Sequence, residues 1–264
     1  MIIICVPYYK VDREVFRKSV QSLLKQSYPG EYEILIVSDG CKPTAQEVLG
    51  IKRDNLKFFN MKKNRGRYFI DAVVSSVSPH EFYMPSDADD VSSYDRLYFL
   101  MKKQLENDAD AVFHYQTVEK RTGKVIHETY PLIKSPQDAV MRHIAHFSGL
   151  YKTDAVRRAG GFHGDFRVGY DTLFVNLVKM TGTIDVTPRL LYTRTHQPDS
   201  LTNNKKTGFG SEHRRMAVVE LYKLYKKCYK HQDKIPEIIQ DSMKPETRQA
   251  IEVEGKRLKK EMGW

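Results

Sequence analysis

Short apolar runs alternate with amphipathic segments along the first 110 residues of the chain. The runs at 2–6, 34–37 and 82–84 are continuously apolar, as is typical of strands buried on both faces of a sheet, and 56–59 is also extended. Helical periodicity lies between and after them, over residues 12–27, 43–50, 66–77 and 93–107. This alternation predicts an α/β fold with a parallel sheet and right-handed crossovers.

In the second half of the chain, predicted strands and helices no longer alternate regularly. Extended segments are predicted at 111–118, 124–128, 147–151 and 190–193, and a helix at 171–180. Two helices close the sequence, an amphipathic one at 211–230 and a charged one at 245–262. In the first of them the apolar face is formed by Val218, Leu221, Tyr222, Tyr225, Cys228 and Tyr229, and the opposite face by Lys223, Lys226, Lys227 and Lys230.

Size and charge narrow the possible functions only a little. The 264 residues can bury one large domain, or one domain with an appendage. The net charge of +10 favours nucleotides, nucleic acid or an anionic membrane as partners, although a basic solvated surface explains it equally well. Three cysteines without metal spacing suit a reducing compartment, and no stretch reaches the ~18 apolar residues of a membrane span. We therefore expect a cytosolic protein, with peripheral membrane contact left open.

An acidic cluster, Asp87-Ala88-Asp89-Asp90, follows the predicted strand at 82–84. Three neighbouring carboxylates repel one another unless a cation lies between them, and oxygen ligands at a strand end suit Mg²⁺ or Mn²⁺ holding a diphosphate. Helix capping by Asp90 or Ser92 is the alternative, but it accounts for one carboxylate only. Asp39 follows a neighbouring strand, so we expect it to face the same crevice, beyond the carboxyl ends of the strands.

Six short motifs occur in an order that resembles a known family. They are Val6-Pro7-Tyr8-Tyr9, Ser38-Asp39-Gly40, Asn64-Arg65-Gly66-Arg67, the acidic cluster, Gly160-Gly161-Phe162 with Asp171 downstream, and Arg194-Thr195-His196. Over residues 1–203 the chain resembles a family 2 glycosyltransferase with the GT-A fold. The resemblance implies a mixed, mostly parallel sheet flanked by helices. It also implies a nucleotide-sugar-binding half at 1–107, an acceptor and catalytic half at 108–203, and a C-terminal helical extension at 204–264.

The resemblance also implies roles for the residues that bind the donor. The loop at Pro7, Tyr8 and Tyr9 would form a wall for the base, and Asp39 would accept from the imide N–H of uracil, which favours UDP. Arg65 and Arg67, at a helix start, suit phosphate. Asp87 and Ala88 would contact the donor. Asp39 as a simple turn residue and Arg65 as ordinary surface are the alternatives.

A metal and a base complete the implied site. Asp89 would bind Mn²⁺ or Mg²⁺, with His196 completing the shell as a neutral imidazole and Asp87 as a further candidate ligand; His196 as a surface residue is the alternative. Asp171 would take the proton from the acceptor hydroxyl. The family often has Glu-Asp where this chain has Tyr170-Asp171, which leaves Asp165 as a second candidate base and helix capping as an alternative role for Asp171.

These features predict a metal-dependent, inverting glycosyltransferase that uses a nucleotide sugar, most readily a UDP-sugar. The Gln-x-x-Arg-Trp motif of processive family members is absent, and Trp264 is the only tryptophan, so we expect single or limited transfers. The acceptor stays open between a glycan, a protein, a lipid-linked sugar and a hydroxylated base in DNA. The basic helix at 211–230, with Arg214 and Arg215, could follow a nucleic-acid backbone, rest on anionic lipid, or simply be solvated. Two other classes of protein remain as alternatives. One is a nucleotidyltransferase, which is disfavoured because no Gly-rich triphosphate loop is present, and the other is a non-catalytic nucleotide-binding module.

Overall fold

The computed structural model describes residues 1–120, 122–130, 140–197 and 200–264. Across these residues a nine-stranded sheet forms the centre of the molecule. Its strands are β1 (Ile2–Tyr8), β2 (Tyr32–Ser38), β3 (Leu56–Asn60), β4 (Phe82–Pro85), β5 (Val91–Ser92), β6 (Ala111–Glu119), β7 (Val125–Glu128), β8 (Leu150–Lys152) and β9 (Ile184–Arg194). The helices are α1 (Arg13–Leu24), α2 (Ala45–Leu49), α3 (Arg67–Val77), α4 (Arg96–Asn107), α5 (Thr153–Arg158), α6 (Tyr170–Thr181), α7 (Glu212–Lys230), α8 (Ile235–Ser242) and α9 (Pro245–Met262).

The strands follow the order β3-β2-β1-β4-β8-β6-β9-β5, with β7 beside β6. The first four are parallel, and Ile4 of β1 lies opposite Ile34 of β2 and Met84 of β4. In the second half β8 is antiparallel to both of its neighbours, and β9 is parallel to β6. The predicted mixed α/β sheet is thus confirmed. The carboxyl ends of β1, β2 and β4 meet at one edge, where the sequence analysis places the site.

Local signals in the sequence set several of the helix starts. Asp12 accepts hydrogen bonds from the backbone N–H groups of Glu14 and Val15, and α1 begins at the next residue after Asp12. Thr44 and Glu47 form a reciprocal capping box at the start of α2. The short β5, α5 and α8 were not predicted from the sequence, and β9 begins six residues before the predicted strand.

Two apolar clusters lie on opposite faces of the sheet. Alternate residues of each buried strand point to opposite faces, so Ile3 and Leu35 belong to one cluster and Ile4 and Ile34 to the other. The first cluster is completed mainly by α3, α5 and α6, and the second by α1, α2 and α4. Burial on both faces explains why the strands are continuously apolar in sequence.

The C-terminal helices share the first of these clusters. Their buried contributions come from Leu221, Leu224, Tyr225 and Cys228 of α7, Ile235, Ile238 and Ile239 of α8, and Leu258 of α9. α9 packs along α3, and the guanidinium of Arg257 lies 4.3 Å from the centre of the Phe59 ring. The division at residue 203 stays a prediction, but the described helices beyond it pack into the sheet's own core. Of the helices in the described ranges, none combines the length and apolar character needed to cross a membrane.

Candidate active site

The loop after β1 presents one of its two tyrosine rings to solvent. Tyr8 is buried, and its ring centre lies 4.4 Å from that of Phe16. Tyr9 is 48% exposed, with the ammonium of Lys10 5.5 Å from its ring centre. Of the predicted wall residues, Tyr9 therefore offers an aromatic face, whereas Tyr8 contributes its backbone carbonyl, which accepts from the N–H of Asp39 at 2.8 Å.

Asp39 is held at the end of β2 by the backbone of the loop before α3. Its two carboxylate oxygens accept from the N–H groups of Arg65 at 2.7 Å and Gly66 at 2.8 Å. The side chain is almost fully buried, and this burial raises the pKa of Asp39, against the opposing effect of the two backbone hydrogen bonds. A carboxylate has about four acceptor positions, so Asp39 retains capacity for another donor. The structure places Asp39 in the crevice without testing its predicted role toward uracil.

Arg67 is the first residue of α3 and connects the two acidic parts of the site. Its Nε donates to Asp71 at 3.0 Å, and its Nη1 donates to the carbonyl of Ser86 at 3.2 Å and to the carboxylate of Asp87. The guanidinium lies 4.4 Å from the ring centre of Phe147. Its Nη2 is buried and has no hydrogen-bond partner among the described residues, and the role of Arg67 toward a phosphate stays a prediction.

The three carboxylates of the acidic cluster have different environments. Asp87 is paired with Arg67, and its backbone N–H donates to the phenol oxygen of Tyr192 at 3.1 Å. Asp90 is buried and accepts from the backbone N–H of Thr195 at 2.9 Å. Asp89 forms no ion pair within the described ranges, and burial together with the charge of Asp87 raises its pKa to about 6. Asp90 also forms no ion pair within those ranges, and burial together with the charges of Asp87 and Asp89 raises its pKa well above the usual value. Both carboxylates therefore lack a paired cation.

His196 does not offer a free lone pair in this arrangement. Its Nδ1 lies 3.2 Å from the side-chain amide nitrogen of Asn203, which also donates to the carbonyl of Gln197 at 2.7 Å. Because that carbonyl fixes the amide orientation, Nδ1 of His196 accepts, and the proton of the neutral ring sits on Nε2. Nε2 is buried without a partner. Throughout the described residues, no group of three or more His, Cys, Asp or Glu side chains is placed to hold a metal ion.

Asp171 lies in the first turn of α6, as predicted. The helix begins after Gly169, which has a φ of +81°, and no side chain caps it, so Asp171 is not the N-cap. Instead its Oδ1 accepts from the phenol of Tyr68 at 3.1 Å. The second candidate base, Asp165, accepts from the backbone N–H of Lys244 at 2.8 Å and from the hydroxyl of Thr247 at 2.5 Å. Asp165 therefore anchors the start of α9.

The family assignment follows from comparison with known families. Residues 3–158 match the model described as Glycosyl transferase family 2, which covers more than half of the chain and includes the base, phosphate and acidic motifs described above. The chain belongs to glycosyl transferase family 2. This confirms the resemblance seen in the sequence and the expected enzyme class. Among curated proteins no sequence matches the chain.

Solved structures with the same fold include those of S. aureus TarS. One TarS structure superposes with a TM-score of 0.62 at 16% identity, covering 85% of this chain and 43% of that chain. The complexes of TarS 1-349 with UDP and with UDP-GlcNAc give TM-scores of 0.60 and 0.63 at 16% and 14% identity; each covers 94% of this chain, and 76% and 77% of theirs. The chain thus spans less than half the length of the first TarS structure. At these identities the likeness concerns the fold, and it confirms the predicted GT-A architecture.

Two features of this glycosyltransferase site were not predicted from the sequence. Asp71, buried in the middle of α3, accepts from Arg67 and from the phenol of Tyr83 at 2.5 Å. A carboxylate four residues after Arg67 within an apolar helix could have revealed it. Arg167 donates from Nη1 to the side-chain oxygen of Asn64 at 2.8 Å and from Nη2 to its carbonyl at 3.1 Å. No local signal predicts this contact, which joins the loop before α6 to the loop before α3.

Proposed function

We propose that this glycosyltransferase transfers a sugar from a UDP-sugar to an acceptor hydroxyl, with inversion at the anomeric carbon and with a divalent metal. One observation carries the proposal. Residues 65–68 contact three of the predicted functional carboxylates in succession: Asp39 through two backbone N–H groups, Asp87 through Arg67, and Asp171 through Tyr68. The predicted base-reading, diphosphate and proton-accepting groups are therefore gathered around one short segment.

The donor would bind between the loop after β1 and the loop before α3. The exposed ring of Tyr9 can stack on a base, and Asp39 has acceptor capacity left for the imide N–H of uracil. The buried Nη2 of Arg67 can donate to a phosphate oxygen. TarS, which has the same fold, was solved with UDP and with UDP-GlcNAc, and this supports a uridine donor here.

A divalent metal fits the acidic cluster through Asp89. Its carboxylate has no paired cation and carries a raised pKa, and Asp87 lies two residues away. Mg²⁺ and Mn²⁺ commonly use one or two carboxylates, waters and substrate phosphates, so a group of three protein ligands is not required. When bound, the ion would act as a Lewis acid on the departing diphosphate. His196 would join only if Asn203 released its Nδ1.

Asp171 would be the base of a single displacement. Its carboxylate would accept the proton of the acceptor hydroxyl as that oxygen attacks the anomeric carbon and the diphosphate leaves on the opposite side. Tyr68 fixes Oδ1 at 3.1 Å and thereby orients the carboxylate. The acceptor class is a glycan, a protein or a lipid-linked sugar, modified in single or limited transfers. The free, buried cysteines Cys5, Cys41 and Cys228 support a cytosolic location as part of the proposal.

The decisive experiment is a panel of nucleotide sugars with and without Mn²⁺, scored by thermal shift and by hydrolysis of the donor. We expect stabilisation and slow hydrolysis with a UDP-sugar, both reduced by chelation of the metal. In the variant Asp171→Asn, turnover should fall by about 10²–10⁴-fold with donor binding retained. The exposed Asp154→Asn serves as the control and should behave as the unmodified protein.

The competing class is separated by the same panel. A non-catalytic nucleotide-binding module would be stabilised by UDP yet hydrolyse no UDP-sugar, and Asp171→Asn would then change nothing. If another nucleoside diphosphate stabilises the protein more than UDP does, the donor assignment is wrong. The proposed type of reaction is not affected by that result.

A further inference from the structure

One segment of the described chain is exposed along almost its whole length. Residues 201–220, which we call the projecting segment, comprise the loop after β9 and the first turns of α7. Nearly every residue in it is exposed or half-buried, and Leu221 is the first side chain of α7 to enter the core. Arg214 holds the segment together, because its guanidinium donates to the carbonyls of Thr207 at 2.9 Å and Leu201 at 3.2 Å.

The projecting segment carries exposed apolar side chains. Phe209 is 78% exposed, more than any other large apolar side chain in the described residues, and Met216 is 60% exposed. Leu201, Val218 and Val219 are also exposed. Single exposed apolar residues are common, but five within twenty residues of sequence are an unusually dense group.

The projecting segment and the remaining turns of α7 are together strongly basic. Residues 201–230 contain eight lysines and arginines against two glutamates, a net charge of +6 out of +10 for the whole chain. Arg214 is occupied by the loop and by the ring of Phe209, and Lys223 is paired with Glu220 at 2.8 Å. Further cations are exposed and form no ion pair within the described residues, namely Lys205, Lys206, Arg215, Lys227 and Lys230. The surface therefore combines unpaired positive charge with apolar side chains.

Residues that flank the projecting segment in sequence contact the proposed active site. On one side it follows Thr195, whose backbone N–H is bound by Asp90 of the acidic cluster. On the other side Leu221 packs against Gly169, the residue that precedes α6 and its Asp171. The projecting segment is therefore connected at both of its ends to elements that contribute to the proposed active site.

We propose that the projecting segment docks the enzyme on an anionic lipid bilayer and that the acceptor is a lipid-linked sugar presented at that surface. Exposed apolar side chains such as Phe209 and Met216 would enter the boundary between headgroups and acyl chains, and the lysines and arginines would contact lipid phosphates. The acceptor part of this inference rests on the proposed function, whereas the docking part does not.

Two other occupants fit the surface less well. A nucleic-acid backbone would take up the positive charge but leave Met216 and the exposed valines in water. A second copy related by two-fold symmetry would bring the unpaired lysines and arginines of one copy against those of the other, which is unfavourable. An anionic bilayer satisfies the charge and the apolar side chains at once.

Vesicle co-sedimentation tests the docking. The full chain should sediment with vesicles of phosphatidylcholine mixed with phosphatidylglycerol, should not sediment with phosphatidylcholine alone, and should be released by salt. The double variants Phe209→Ser/Met216→Ser and Lys205→Glu/Lys206→Glu should each lower the partition coefficient by roughly tenfold or more. Leu105→Ser, which removes a 73% exposed apolar side chain from α4, is the matched control and should have no effect.

Several results would contradict the docking. Absence of sedimentation with anionic vesicles, or unchanged sedimentation of both double variants, overturns the docking. Tighter binding to DNA than to anionic vesicles, or a dimer in light scattering that Phe209→Ser/Met216→Ser dissociates, assigns the surface to another occupant and overturns it too. Donor hydrolysis without vesicles should be the same in Phe209→Ser/Met216→Ser as in the unmodified protein. If the protein does not bind vesicles but still hydrolyses the donor, the docking is wrong and the proposed function is unaffected. If it binds vesicles but hydrolyses no donor, the proposed function is wrong and the docking is unaffected.

Discussion

The phenol of Tyr68 donates a hydrogen bond to Oδ1 of Asp171 across 103 positions of sequence, with a distance of 3.1 Å. Tyr68 is in the first turn of α3, directly after the residues that hold Asp39 and Asp87, and Asp171 is in the first turn of α6. The contact joins the donor side of the crevice to the proposed base. Tyr68 is thus a positioning residue, because it would act on the reaction through the carboxylate.

Removing this hydroxyl should affect turnover more than donor binding. In Tyr68→Phe the carboxylate loses a hydrogen bond of the kind worth about 1.5–3 kcal/mol, and with it a fixed orientation. We expect kcat to fall by roughly ten- to hundredfold at an unchanged donor KM. Tyr32→Phe, which removes a phenol bonded to the carbonyl of Leu24, is the control. An equal loss in both variants would point to a general effect on folding.

The pairing of Arg67 with Asp71 predicts a large loss of stability when the cation is removed. Arg67→Met leaves the fully buried carboxylate of Asp71 without its charge partner, which costs about 3–5 kcal/mol in comparable buried pairs. Urea unfolding measures the change. The second substitution Asp71→Asn should restore part of the loss, and Arg17→Met on α1, a surface pair, should cost less than about 0.5 kcal/mol. A loss in Arg67→Met as small as in Arg17→Met would contradict the pairing.

Buried histidines should make the fold sensitive to acid. Burial lowers the pKa of His80 to about 4 and that of His163 to about 4, from 6.5 in an exposed chain. Between pH 6.5 and 4 the unfolded chain binds protons that the folded protein excludes. The contribution of these two histidines to the free energy of unfolding should therefore decrease as pH falls through this range, by at most about 1.4 kcal/mol per pH unit for each, while the raised pKa of Asp89 contributes with the opposite sign. Measurements of unfolding at several pH values should show a smaller slope for His80→Asn, and an unchanged slope for His213→Asn at the exposed start of α7.

Gly66 should tolerate no side chain. Its φ of +85° and ψ of 167° lie in a region that essentially only glycine adopts, and an added Cβ would lie 2.4 Å from Nη1 of Arg167. We expect Gly66→Ala to cost about 1–3 kcal/mol of stability and to weaken UDP binding, because the Gly66 N–H that holds Asp39 would move. Gly123→Ala is the matched control: its φ is +76° and it has open space, so it should cost stability and leave UDP binding unchanged.

The sequence predicted those parts of the molecule that have local signatures. Continuous apolar runs identified β1, β2 and β4, and the order of the motifs identified the family and the crevice. The contacts of Tyr68 with Asp171 and of Arg167 with Asn64 have no such signature, because each joins segments 103 residues apart. β9 was predicted too short because polar and apolar residues do not alternate regularly in its first half, which contains Asp185 and Pro188. Tyr8 was placed in the binding wall because sequence does not show which of two neighbouring rings turns inward.

The packing of α9 along α3 has a consequence for the synthesis of the protein. α3 begins with the residues that hold the site together, yet one of its faces stays uncovered until residues 245–262 have been made. A nascent chain that has completed the sheet therefore still exposes an apolar surface next to the proposed active site. We expect such a chain to bind a nucleotide only after α9 has been made.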